Sequence, residues 1–344
     1  MTGIVASTEE ALPYSLMGFI FVVGIVPGST GIRDQMTHYK ITKWTSSQTH
    51  RWGVILAGGD GTRLLPMTRC INGDDRPKQF SAVLGGETLL DQTRRRVEEI
   101  VDPCRTLLSL TAKHEPFFRE HAADVPEQLL LIQPYNHGTA QAILFSVLRL
   151  RKLDPDATVA YFPSDHYFAN GSAFAQQIRD AFGEAERRPG NVVLLGIEAD
   201  APEESYGWIE PGGRLGRVFA VTRFWEKPSR MLAASLLDQG CLWNSFVMVG
   251  KVSAFLALFR NTMPELLAAF ESREDQIGTA GEYAALTDIY DSSVAGNFSD
   301  QVLSTQPRRL SVLPGRNLGW SDLGEPSRVY AVQERAELAY AQPA

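Results

Sequence analysis

Trp52–Phe80, WGVILAGGDGTRLLPMTRCINGDDRPKQF, decides how the rest of the chain is read. Its apolar run Gly53 to Ala57 reads as a buried strand ending in a turn. Gly58, Gly59 and Gly61 follow, where a side chain would hold a ligand off the main chain. Thr62 and Arg63 open a segment whose free N–H groups can face an anion. Arg63 and Lys78 add two cations, so strand, glycine loop and fixed charge compose a cradle for a triphosphate. Two neighbouring motifs do not fit. A Walker loop requires a lysine after its last glycine, and none follows Gly61. The dinucleotide fingerprint G-x-G-x-x-G is replaced here by G-G-x-G-T-R-L. A glycine turn alone is commonly no more than a tight turn. Arg63 and the run Arg76 to Phe80 make phosphate binding the stronger reading.

The whole chain has 344 residues, 44% hydrophobic and 21% charged, an ordinary balance for a soluble globular enzyme. A net charge of −7 argues against a nucleic-acid binder. It leaves room for a nucleotide, because a local pocket of basic residues and metal can oppose the global sign. Cys70, Cys104 and Cys241 are odd in number and widely spaced, and read as reduced thiols of a cytoplasmic protein. Residues 1–50 stand apart as an extension. Their apolar core, Leu16 to Val26, is too short to span a bilayer comfortably and is broken by Gly18 and Gly24. Glu9 and Glu10 flank it where a secretory signal would be basic. The extension is read as disordered, membrane-associated or upstream of a true start at Met36, and the last is preferred. No stable membrane association is expected.

From Arg51 onward strands and helices alternate, the pattern of an α/β sheet. Helices are expected at Thr88–Ile100, Thr139–Leu150 and Ala173–Glu186, and strands at Thr106–Leu110, Leu129–Ile132, Thr158–Phe162 and Val192–Ile197. After Glu203 the runs Tyr206–Glu210, Val218–Trp225 and Trp243–Val249 read as a strand-rich lobe. Helices return at Val252–Arg260 and Pro264–Ser272, and a last strand is expected at Arg308–Leu313. One catalytic domain, 51–335, is expected, with lobes at about 51–200 and 201–335 and a tail at 336–344.

The signatures G-G-x-G-T-R-L and R-P-K-Q-F resemble the sugar-1-phosphate nucleotidyltransferases, most closely the mannose-1-phosphate guanylyltransferases, from about Arg51 to Val329. The resemblance implies a Rossmann-like, mixed but mostly parallel sheet flanked by helices, with a smaller strand-rich sugar-binding lobe. It implies that Asp165, in Phe162-Pro-Ser-Asp-His166, binds Mg²⁺. It also implies that Asp322, in Gly319-Trp-Ser-Asp-Leu-Gly324, supplies the second carboxylate. Without it, either Asp is as readily a turn former. Phe224-Trp-Glu-Lys-Pro228 matches F-x-E-K-P, placing Glu226 on sugar hydroxyls and Lys227 on the phosphate. Tyr206-Gly-Trp-Ile209 and Leu242-Trp-Asn-Ser245 match two further sugar-side elements. Gly207 then gives close backbone approach, and Asn244 contacts hydroxyls. Gln133-Pro-Tyr-Asn-His-Gly-Thr-Ala140 is similar to the base-side loop, with Gly138 and Thr139 at the nucleotide. It departs from the usual E-P-x-x-R-N-T-A pattern at His137, for Arg, and Gly138, for Asn; Gln141 stands for the usual proline after it, and Phe246 replaces the glycine after Trp-Asn-Ser.

The expected reaction is attack of a sugar 1-phosphate on the α-phosphorus of a nucleoside triphosphate, with release of pyrophosphate. GTP and mannose 1-phosphate are the favoured partners, GDP-mannose the product and Mg²⁺ the cofactor. Catalysis would rest on Arg63, Lys78 and Asp165. UTP or dTTP with glucose 1-phosphate is the alternative pair. A non-catalytic sensor and a dinucleotide-dependent oxidoreductase are the rival classes, and a homodimer is the assembly considered.

Overall fold

The computed structural model describes residues 50–341, and the extension through residue 49, with Met36, lies outside them. In chain order the strands are β1 (Arg51–Leu56), β2 (Thr106–Thr111), β3 (Leu130–Gln133), β4 (Thr158–Pro163), β5 (Tyr167–Phe168), β6 (Val192–Glu198), β7 (Gly207–Leu215), β8 (Val218–Glu226), β9 (Leu242–Lys251), β10 (Leu310–Gly315) and β11 (Trp320–Ser321). The helices are α1 (Leu65–Asn72), α2 (Leu89–Glu98), α3 (Glu115–Phe118), α4 (Thr139–Leu153), α5 (Gly171–Arg187), α6 (Arg230–Asp238), α7 (Val252–Thr262), α8 (Pro264–Glu271), α9 (Glu282–Ser292) and α10 (Pro326–Ala341).

Nine strands form one mixed sheet in the order β3-β2-β1-β4-β9-β6-β10-β8-β7. β1 pairs in parallel with β2 and β4, β2 with β3, and β6 with β10. β9 runs antiparallel between β4 and β6, so those two share a direction. The strand-rich stretch after Glu203 is therefore continuous with the preceding half, because β9 is threaded into the middle of the sheet. β4 is buried at every residue, which suits a strand covered on both faces. On one face α4 and α7 pack Ile143, Val147, Phe255 and Phe259. On the other α5 packs Phe174, Ile178 and Phe182.

Local chemistry sets the helix ends. Thr88 accepts from the Asp91 N–H at 3.2 Å and donates to its carboxylate at 2.7 Å, a reciprocal cap on α2. Asn170 caps α5 through the Ala173 N–H at 3.0 Å. The expected tail, 336–344, is in part helical, since α10 continues to Ala341. The parallel strands β1 to β4 end together, and Gly58, Gln133 and Ser164 meet just beyond them, where open α/β sheets collect ligands.

Candidate active site

The glycine loop is held from below by a residue the motif reading passed over. Gln79 donates to the carbonyls of Ala57 at 3.0 Å and Gly59 at 2.7 Å. Thr111 donates to the Gly58 carbonyl at 2.9 Å. Gly61 takes φ +59°, and a Cβ there would lie 3.1 Å from the Lys78 nitrogen, so the loop and the R-P-K-Q-F run pack main chain on main chain. Asp60 is fixed by Asn136 at 2.9 Å and by His114 at 3.2 Å. Above lies a cavity of about 290 Å³, lined by Gly58, Gly59, Gly138, Thr139, Asp165 and Phe246 among others. Thr62 and Arg63 are exposed, in a short 3-10 turn before α1. The Arg63 Nη2 lies 3.1 Å from where a Cβ on Gly324 would stand, which brings it beside the Asp322 turn.

Lys78, expected as a cation facing a triphosphate, is held by groups of the protein itself. The residue is 7% exposed. Its ammonium donates to the carbonyls of Asp322 at 2.7 Å and Leu323 at 3.0 Å and lies 3.4 Å from the Asp165 carboxylate. A buried ammonium needs its donors used, and the 322–323 turn supplies the acceptors. Lys78 thus ties the Asp165 and Asp322 segments together. The two carboxylates differ in their surroundings. Asp165 lines the cavity, with Lys78 and His166 as its charged or titratable neighbours at 3.4 and 3.8 Å. The Asp322 Oδ1 accepts from Arg328 at 2.7 Å, Tyr206 at 2.9 Å and the Gly324 N–H at 3.0 Å. Burial pushes the Asp322 carboxyl up, but His166, Arg328 and the Gly324 N–H outweigh it and hold it below the ordinary carboxylate range. Burial pushes His166 down against the pull of both aspartates, and its Nδ1 accepts from the Trp320 indole at 3.2 Å. The remaining proton of the neutral ring then sits on Nε2, towards Asp165.

Aromatic side chains join the scattered motifs. Tyr206 meets Trp243 edge-on at 5.1 Å and Trp320 at 5.2 Å, and His166 meets Trp320 at 5.5 Å. Gly207 sits where these motifs are tightest. A Cβ there would lie 2.9 Å from Phe224, 3.1 Å from the Glu226 carboxylate and 3.2 Å from Asn244. Glu226 and Phe246 line a second cavity, of about 510 Å³, that shares Asn136, Gly138, Thr139 and Phe246 with the first. Burial pushes the Glu226 carboxyl up, against the pull of the Lys227 ammonium and a hydrogen bond from Asn297. Lys227 itself is exposed, 3.8 Å from Glu226 and outside the lining of either cavity. Asn244 is buried and accepts from the Phe246 N–H at 3.1 Å, so it shapes a turn. Among the described residues four non-glycine residues have positive φ, and three fall in these loops: Lys227 at +47°, Phe246 at +60° and Leu323 at +47°. Such outliers gather where a site over-determines the chain.

The departures in the base-side loop have a common neighbour. His137 donates to the Ser293 carbonyl at 2.8 Å, and Gln141 donates to the Val294 carbonyl at 2.7 Å. Gly138, at φ +94°, leaves room for Gly296, whose carbonyl carbon would stand 2.9 Å from a Cβ.

Magnesium needs only one or two carboxylates beside phosphate oxygens. Among the described residues no group of three or more His, Cys, Asp or Glu could cage an ion. Asp165 fits the lesser requirement, as a carboxylate at the cavity wall. Asp322 differs in that its Oδ1 already accepts three donors, while among the described residues no hydrogen bond reaches its Oδ2. Among the described residues no helix is long and apolar enough to cross a membrane.

The alginate biosynthesis protein AlgA of Pseudomonas syringae pv. tomato is 30% identical over 298 residues, covering 82% of this chain and 58% of that protein. The mannose-1-phosphate guanylyltransferase of Klebsiella pneumoniae is 29% identical over 306 residues, 83% of this chain and 60% of that one. The chain thus spans about three fifths of the length of such curated relatives. A crystal structure described as mannose-1-phosphate geranyltransferase, from Thermus thermophilus, is 30% identical with a TM-score of 0.70, covering 80% of this chain and 76% of that one. The family model described as nucleotidyl transferase matches residues 52–338, and with its sheet, glycine loop and paired cavities the chain belongs to that family.

Proposed function

We propose that the protein joins a nucleoside triphosphate to a sugar 1-phosphate and releases pyrophosphate, with GTP and mannose 1-phosphate the favoured pair and GDP-mannose the product. The observation that carries this reading is the pair of adjoining cavities with Gly138, Thr139 and Phe246 at their junction. One is floored by the glycine loop, whose main-chain N–H groups suit phosphates, and by the start of α4. The other is walled by Glu226, which suits sugar hydroxyls. An anhydride between the two substrates forms at their junction, within the 51–200 and 201–335 halves.

The attacking phosphate oxygen is already an anion near neutral pH, so no general base is required. The obstacles are repulsion between anions and the charge gathering on the departing pyrophosphate. Loop N–H groups and the exposed Arg63 oppose both by preorganised charge. Lys78 acts one step back, locking the Asp165 and Asp322 segments in place. Lys227 is free to swing over the sugar phosphate. Asp165 would hold Mg²⁺, which when bound supplies charge neutralisation and a template for in-line displacement. A homodimer in the cytoplasm completes the reading. Gel filtration with light scattering tests the assembly, and fractionation of the native source tests the location.

The decisive experiment is a matrix of four nucleoside triphosphates against several sugar 1-phosphates with Mg²⁺, scored by released pyrophosphate. GTP with mannose 1-phosphate is expected to lead by a clear margin. A lead for UTP or dTTP with glucose 1-phosphate replaces the named pair. Silence across the whole matrix removes the activity and favours the sensor reading.

A further inference from the structure

Ser293 to Ser299 carries none of the motifs, yet it is bonded more densely to the start of α4 than any motif loop is. The Gly296 carbonyl accepts from the Ala140 N–H at 3.0 Å, and the Gly296 N–H donates to the Gln141 side chain at 3.1 Å. Thr139 Oγ1 accepts from the Phe298 N–H at 2.9 Å. The segment is thereby fixed on its inner side. Its outer side, with Asn297 exposed, faces the 510 Å³ cavity opposite Glu226 and Phe246. Asn297 is oriented by its own neighbours. Its Oδ1 accepts from the Ser299 N–H at 2.9 Å and the Asp300 N–H at 3.3 Å, at the head of the π-turn Ser299–Leu303. With the oxygen committed, the amide nitrogen is the end left for the cavity.

We infer that this segment is the sugar-selecting wall of the site, and that Asn297 is a binding residue for hydroxyls of the hexose 1-phosphate. The chemistry is reciprocal. A hydroxyl both donates and accepts, a Glu226 carboxyl oxygen accepts, and the Asn297 amide nitrogen has two hydrogens to give. One of them meets a sugar hydroxyl that in turn donates to Glu226, which lines the same cavity. Position along the wall then reads which ring carbons carry hydroxyls, independently of the base in the other cavity. The inference rests on the activity proposed above.

Initial rates of pyrophosphate release test it, with mannose 1-phosphate and its monodeoxy analogues varied at saturating GTP. Asn297→Ala is expected to raise the KM for mannose 1-phosphate about tenfold, the size of one lost hydrogen bond in a site. Its kcat and its KM for GTP stay within about twofold. One deoxy analogue penalised in the wild type loses that penalty in the variant. Asn297→Asp keeps the oxygen that caps the π-turn while removing the amide donor. It is expected to remain folded by its melting curve and to show the same sugar-specific loss. If the wild type turns over but both variants keep the wild-type KM and the same ranking of analogues, the inference is overturned alone. If the wild type releases no pyrophosphate from any pair, the proposed activity falls and the inference with it.

Discussion

Asp165 and Lys78 touch one another and yet predict different phenotypes. Asp165 lines the cavity and bears no structural hydrogen bond of comparable shortness. Asp165→Asn is therefore expected to lose at least about 10²-fold in turnover, as when one preorganised contact is removed, with an unchanged urea midpoint. Lys78→Ala strips two carbonyls and a carboxylate of a buried donor, so it should lose both turnover and stability. Equal midpoints for the two variants would contradict this division. Phe246 offers a test of backbone strain. At φ +60° a side chain costs about 1 kcal/mol or more. Phe246→Ala and Phe246→Gly remove the same ring, but only glycine relieves the strain. Chemical denaturation should rank the glycine variant above the alanine variant by about 1 kcal/mol, the reverse of the usual order. The sequence marks Phe246 as a departure. That the position demands a left-handed turn is held in its torsion and in the Asn244 bond beneath it.

Among the elements, those with a clean apolar period were legible. β4, β6, α4 and α5 lie within a few residues of their expected places. α9 and α10 were not, because neither sets a clear apolar stripe against a polar face. Site residues followed a similar rule. Motif letters mark the loops, but Gln79 and Arg328 act on partners about 20 to 125 residues away, and no local pattern encodes that. Arg328 is the clearest case. From the first turn of α10 it bonds Asp322 and Glu203 and stacks over the Tyr206 ring at 4.6 Å. The contact between the base-side loop and 293–298 yields a prediction of its own. Gly138, at φ +94° and ψ 171°, occupies a region closed to other residues. Gly138→Ala should cost about 3 kcal/mol and more from collision with Gly296. Gly138→Asn, the residue of the E-P-x-x-R-N-T-A pattern, should fare no better. A wild-type urea midpoint in either would mean the two loops do not pack as described.

For the molecule as a whole, His114 links acidity to folding. It is 2% exposed, its Nδ1 has no partner, and burial pushes its pKa down despite the Asp60 carboxylate. The unfolded chain then takes up the proton first. Stability is full above the ordinary histidine value of about 6.5 and falls as pH drops through it towards the lower folded value. His166 is shifted in the same direction and adds to the fall. The urea midpoint should be lower at pH 5.5 than at 7.5, and His114→Gln should shrink the difference. An undiminished difference would clear His114 of the effect.

The position of β9 sets the order in which the molecule can be assembled. β4 and β6 leave the ribosome about 50 to 90 residues before the strand that must lie between them, counting from the ranges of the three. Until then each offers a bare apolar edge, the kind that recruits strands from other chains. The nascent protein must therefore wait, or be chaperoned, until Leu242–Lys251 arrives to zip the gap from both sides. A fragment ending near Asp200 would keep its glycine loop and still have no finished sheet on which to hang it.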